Sequence, residues 1–216
     1  MVFDQSLNRT SQPATEDVRR PGGSTTSQVL GGTFLGLAWG ASLRAWMVSL
    51  AMDIGDTPRF TLSGTFGGVL LPAMSAGALL GAAVHEAATS DSKRWRWGLL
   101  SPLLLIAGPV IFTRDFFKIL VTTGKGGGAI GVALIGLLGG YAFSGFGVRW
   151  TRWVSGLFAA VLAMASVVPV YFGNRDSAVT STSKVFGMLQ FALLLVLLVI
   201  GVSAPSRTAR RKAPDR

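Results

Sequence analysis

The chain has 216 residues, half of them hydrophobic and only 14% charged, with a formal net charge of +10 and no cysteine. A soluble chain of this size carries about a quarter charged residues, so the composition points to one membrane domain and leaves little material for a soluble one. The lack of cysteine excludes disulfides, thiolate metal sites and a cysteine nucleophile.

The apolar residues fall into about six long stretches, each near the length that crosses a bilayer. The sequence therefore predicts an all-α, polytopic transmembrane helix bundle with both termini cytoplasmic. Basic residues sit at the helix ends and in the C-terminal tail. That distribution suits anionic lipid, not nucleic acid.

Residues 1–28 are rich in Ser, Thr, Asp, Glu, Arg and Pro and lack an apolar run. A cleavable signal peptide needs such a run near its start, so this segment reads as a disordered cytoplasmic tail. Asn8-Arg9-Thr10 matches a glycosylation sequon, but on the cytoplasmic side it is a chance match.

The spacing predicts spans over 29–52, 60–87, 97–112, 127–146, 153–172 and 185–202. The first is interrupted by Arg44. A polar turn from Asp53 to Arg59 follows, with Gly55 and Pro58 as breakers. The second span is Gly-rich and holds Pro72, which is expected to bend it. Lys93, Arg94 and Arg96, interleaved with Trp95 and Trp97, form a loop typical of a membrane interface.

The third span is short and contains Pro102 and Pro109. Residues 113–125 are partly apolar and read as a surface or re-entrant segment. Arg149, Trp150, Arg152 and Trp153 make a second basic-aromatic loop. The sixth span reads as lipid-facing, with Gln190 available for a bond to a neighbouring helix. Residues 203–216 read as a basic cytoplasmic tail, unstructured from Pro205.

Orientation follows from the basic residues. Six spans place Arg9, Arg19, Arg20, Lys93, Arg94, Arg96, Arg149, Arg152, Arg207, Arg210, Arg211, Lys212 and Arg216 on one side. Arg59, Arg114, Lys118, Lys125, Arg175 and Lys184 fall on the other. Dropping the third span would put the termini on opposite faces and leave the first Trp-flanked basic loop unexplained.

Small residues recur every fourth position. Gly32, Gly36 and Gly40 lead to Arg44; Ala73, Gly77 and Gly81 lead to His85. Gly127 and Gly131, then Gly136 and Gly140, repeat the spacing. Residues four apart share a helix face, and small ones there let two backbones approach. Packing within one chain and homodimer formation both fit this pattern, the first better.

Few polar groups offer chemistry. His85 and Glu86 form a candidate inner polar pair, either proton-responsive or simply a helix end among headgroups. His85 is the sole histidine, so a histidine metal centre is excluded. Ser144-Gly145 lacks a base within reach for an intramembrane protease. Gly124-Lys125-Gly126-Gly127-Gly128 lacks both the leading Gly and the Ser or Thr of a phosphate loop, and reads as a hinge. No residue set calls for a cofactor, a metal or a catalytic role.

Arg44 is the main candidate. Sixteen residues from Gln28 rise about 24 Å, which places it in the outer part of the bilayer. Asp53, Asp56 and Asp115, all on that side, are its candidate acidic partners, and Trp39 and Trp46 either frame the site or act as interfacial anchors. Arg44 either pins the first hairpin or faces an outward site for an anion or lipid headgroup.

Leu37-Ala38-Trp39-Gly40-Ala41-Ser42-Leu43-Arg44-Ala45-Trp46-Met47, followed by Phe60-Thr61-Leu62-Ser63-Gly64-Thr65, resembles a group of small multi-span membrane proteins of actinobacteria. The likeness covers about a third of the chain. Leu43 stands where that pattern has Ala before Arg, and Val48 where it carries a second basic residue. The resemblance implies the topology and a plasma-membrane location, and no activity.

The resulting expectation is an interaction or assembly component of the membrane, with the bilayer, anionic lipid and a membrane protein as partners. A small transporter or channel with its site at Arg44 is the alternative. An enzyme acting on lipid phosphate is a third class; its nearest acidic pair is Asp53 and Asp56.

Overall fold

The structure is a computed structural model. It describes residues 24–53, 61–123, 127–172 and 181–212, with side chains for all of these except 53, 123, 167–172 and 181–182. The expectations for residues 1–23, Asp56, Arg59, Lys125, Arg175 and residues 213–216 lie outside the described residues, as does the Asp53 side chain.

Seven helices make up the described chain: α1 (Thr25–Asp53), α2 (Ser63–Thr89), α3 (Lys93–Phe112), α4 (Phe116–Thr123), α5 (Gly127–Ser144), α6 (Arg149–Phe172) and α7 (Ser181–Lys212). Among the described residues, α1, α2, α3, α5 and α7 are long and apolar enough to cross a membrane. The short helix α4 buries Phe116 and leaves Phe117 and Val121 exposed.

Proline shapes two of the long helices. Pro72 would press on the carbonyl four residues back in a regular α-helix. The stretch Ser63–Leu70 avoids this by winding as a π-helix: the Leu71 N–H bonds the Phe66 carbonyl, five residues back. The stretch Lys93–Leu103 instead tightens to a 3-10 helix around Pro102, then relaxes into an α-helix at Leu104. Tight winding advances the chain faster per residue than an α-helix does, which lengthens a span that looks short in sequence.

Five contacts define one end of the bundle. Thr25 Oγ1 lies 2.8 Å from His85 Nε2. Lys212 Nζ binds Asp91 Oδ1 at 2.8 Å. Arg96 and Arg210 both lie over Phe146. Arg152 Nε donates to the Ala142 carbonyl at 3.0 Å. The start of α1, end of α2, start of α3, end of α5, start of α6 and end of α7 thus meet at this basic end.

The largest departure from the sequence expectation is α7. It neither faces lipid throughout nor stops at Val202. It packs against α1, α2, α3, α5 and α6 and continues as helix through Pro205 to Lys212. Phe191, Leu194, Leu195, Val202, Ser203 and Ser206 are buried. The Ser206 hydroxyl donates to the Ser203 carbonyl at 2.6 Å, and Ser203 to that of Ile200 at 2.9 Å. Internal bonding of these hydroxyls lets a polar stretch enter the core without unmet donors. Helix α1 likewise begins one turn earlier than expected, at Thr25.

Candidate functional site

The α1–α2 hairpin is joined by backbone. A Cβ on Gly32 would fall on the Gly77 carbonyl oxygen, and one on Gly77 would fall on that of Gly32. Gly36 meets the Ala73 carbonyl and Gly81 that of Gln28, while a Cβ on Gly40 would lie 2.8 Å from Ala73 Cβ. Helix backbones this close gain dispersion contacts that larger side chains would prevent. Further close approaches lie outside the four-residue series. Gly98 faces Ala83, and Gly108 faces Pro72. Both are on α3, whose altered winding hides the spacing. On α5, Gly136 meets Leu198 and Gly140 meets Val202, but Gly139 also meets Val199; Gly127 has ordinary contact with Leu120, and Gly131 with Ser166.

Arg44 continues the glycine face of α1, and α1 packs against the π-helical stretch that carries Thr65. Arg44 is half-buried. Thr65 is buried, and its hydroxyl has no hydrogen-bond partner among the described residues. Asp115 is not joined to Arg44. It is exposed at the turn before α4, with φ 57°, and its carbonyl accepts from the Ile119 N–H at 2.9 Å.

Trp39 and Trp46 turn their indole N–H groups onto α7. The Trp39 indole N–H donates to the Leu194 carbonyl at 2.8 Å, and that of Trp46 to the Gly187 carbonyl at 3.0 Å. Trp46 is 8% exposed and stacks on Phe191, with ring centroids 4.3 Å apart. Both residues tie α1 to α7. Gln190 on α7 forms no side-chain hydrogen bond among the described residues.

At the basic end, His85 and Glu86 turn to different elements. His85 meets Thr25 of α1, whereas Glu86 accepts from the Ser92 hydroxyl at 2.9 Å. Ser144 serves as a cap: it is buried, donates to the Tyr141 carbonyl at 2.7 Å and accepts from the Phe146 N–H at 3.2 Å. The turn continues through Gly145 and Gly147, whose φ values of 77° and 84° suit glycine.

Three arginines converge on this turn. The Arg96 guanidinium carbon is 5.8 Å from the ring centroids of both Trp95 and Phe146, and that of Arg210 is 5.4 Å from Phe146. Arg210 also lies where a Gly145 side chain would be. Arg152 holds the end of α5 from α6. Beside them opens a cleft of about 360 Å³, lined by Arg96, Trp97, Leu99, Leu100, Leu137, Tyr141 and Val202. Sequence reading took Arg96 as a topology determinant and missed the cleft, because its walls come from α3, α5 and α7. Among the described residues, no cluster of three or more His, Cys, Asp or Glu is placed to hold a metal ion.

No family model, curated protein or solved structure matches the chain.

Proposed function

We propose that the chain is a six-span protein of the plasma membrane, with both termini cytoplasmic, that works as an interaction or assembly component. The carrying observation is the incomplete packing of α1, whose remaining surface α2 and α7 leave open. Its glycine face is locked to α2, yet only 11% of its most apolar window is buried, against 44% for α2. Leu30, Phe34, Leu35, Met47 and Met52 remain exposed. A helix fixed rigidly over part of its surface and open over the rest suits a partner helix in the bilayer. The span added to α1, α2, α3, α5 and α7 is α6, which carries no charged residue from Trp153 to Phe172. The basic end faces the cytoplasm by the positive-inside rule.

A photo-crosslinker at Phe34 or Leu35, installed in cells, tests the reading. Adducts with one protein of defined mass are expected. Adducts with lipid alone would refute it.

The alternative, a transporter or channel for an anion or lipid headgroup at Arg44, gains support from one observation. The buried Thr65 hydroxyl lies in a π-helical stretch packed against α1, the helix of Arg44, and such windings are frequent at functional sites. Anion flux in proteoliposomes, lost in Arg44→Gln and retained in Arg114→Gln, would favour that reading.

A further inference from the structure

We infer that the basic end holds one anionic phospholipid, its phosphate between Arg96 and Arg210 and one acyl chain in the adjoining cleft. The inference rests on the membrane reading above and adds a ligand to it.

The charge comes first. Two guanidiniums share one aromatic ring, Phe146, at 5.8 and 5.4 Å. Like charges repel, and neither has a carboxylate partner among the described residues. The nearby acids are already engaged: Asp91 with Lys212, and Glu86 with the Ser92 hydroxyl. A guanidinium lying over a ring is held by its face. Its N–H groups point outward from the edge in a fork that matches phosphate oxygens. Both forks lie within about 6 Å of the centre of one ring, which sets two phosphate-binding groups around a single point.

The cleft supplies the second observation, independent of charge. Arg96 lines the cleft together with Leu99 and Leu100, one turn further along α3, and with Leu137 and Val202. Because α3 enters the bundle from the basic end, this direction runs from headgroup level toward the bilayer centre. Trp97, 75% exposed, stands at the rim, where an indole suits the interface. The volume of about 360 Å³ is at the small end for ligand sites. It therefore fits a single chain, with the rest of the lipid in the bilayer. A free phosphate would use the arginines and leave the apolar walls without purpose.

The full chain, purified in mild detergent and exposed to equal amounts of phosphatidylglycerol and phosphatidylcholine, is read by native mass spectrometry. Preferential retention of phosphatidylglycerol is expected. The pair Arg96→Gln and Arg210→Gln should lower that retention about tenfold, the scale of losing charge-assisted bonds. The pair Lys93→Gln and Arg94→Gln removes the same charge from exposed positions outside the cleft, and should leave retention nearly unchanged. Leu137→Trp fills the cleft without altering charge and should also weaken retention.

Equal retention of both lipids by the unaltered protein would overturn the inference without any variant. Equal losses from both arginine and control pairs would assign the effect to diffuse charge and overturn it too. Displacement of the lipid by inorganic phosphate, with Leu137→Trp inert, would indicate a free-phosphate site instead. Release from membranes by alkaline carbonate without detergent would sink the membrane reading itself. A protein that needs detergent yet shows no lipid preference would sink the lipid site alone.

Discussion

The backbones of Gly32 and Gly77 touch so closely that a methyl group on either would overlap the carbonyl oxygen of the other. The atoms in the way are backbone, which cannot swing aside as a side chain can. Helix separation is thus set by the absence of two side chains.

Gly77→Val should accordingly destabilise the hairpin by about 1–3 kcal/mol or more, the usual cost of overpacking. A methyl group on Gly31 would meet nothing within 4 Å, so Gly31→Val should be close to neutral. Thermal unfolding in detergent compares the two. Equal effects would show that the seam does not set stability.

Trp46 joins α1 to α7 through both its ring and its N–H. Trp46→Phe keeps most of the ring and removes the donor to Gly187, for an expected loss of about 0.5–1.5 kcal/mol. Trp46→Ala also empties the space against Phe191 and should cost about 3–5 kcal/mol. Chemical denaturation of both variants would check the order and the gap.

The cysteine-free sequence makes topology directly measurable. Single substitutions Ser24→Cys and Lys212→Cys lie at the basic end, and Asp115→Cys at the other. In sealed, right-side-out vesicles an impermeant maleimide should label the Asp115→Cys protein alone. The other two should react only after permeabilisation. An alkaline phosphatase fused after Arg216 should be inactive for the same reason. Labelling of the Lys212→Cys protein from outside would reverse the orientation.

Asp91 and Lys212 form a short ion pair, but the Asp91 side chain is 93% exposed. Water and salt screen such pairs, so Asp91→Asn should change stability by no more than about 1 kcal/mol. A larger loss in a melting experiment would mean that the end of α7 is held mainly by this pair, not by the burial of Ser203 and Ser206.

Apolar length and four-residue spacing made much of the helical layout legible. Gly32, Gly36, Gly77 and Gly81 stand out because the α-helical repeat brings them to one face. The close approaches of Gly98 and Gly108 were hidden, since 3-10 winding around Pro102 breaks that repeat. The bonds of Trp39 and Trp46 to α7 were hidden for another reason. An indole beside an arginine near a span end fits an interfacial anchor equally well, and the carbonyls they meet lie about 140 to 155 positions later in the chain. The extension of α7 past Pro205 was also unreadable. Proline ends a helix in isolation, but here packing against the bundle overrides that tendency. The arginine cluster needed three helices to assemble, and no local pattern encodes that.

The late position of α7 governs the order in which the bundle can mature. Every long helix it touches precedes it in the sequence, so α1 enters the bilayer before the carbonyls that receive Trp39 and Trp46 have been synthesised. The α1–α2 hairpin can close at once, because its seam needs only local partners. The α5–α6 hairpin can do the same. Helix α3 already packs against α5 without it, but the Trp39 and Trp46 bonds must await α7, and until then both indole N–H groups are left to solvent, lipid headgroups or an assisting protein. Chains ending near residue 180 should therefore show Trp fluorescence of a wetter environment than full-length protein, while Gly32 and Gly77 already sit in contact.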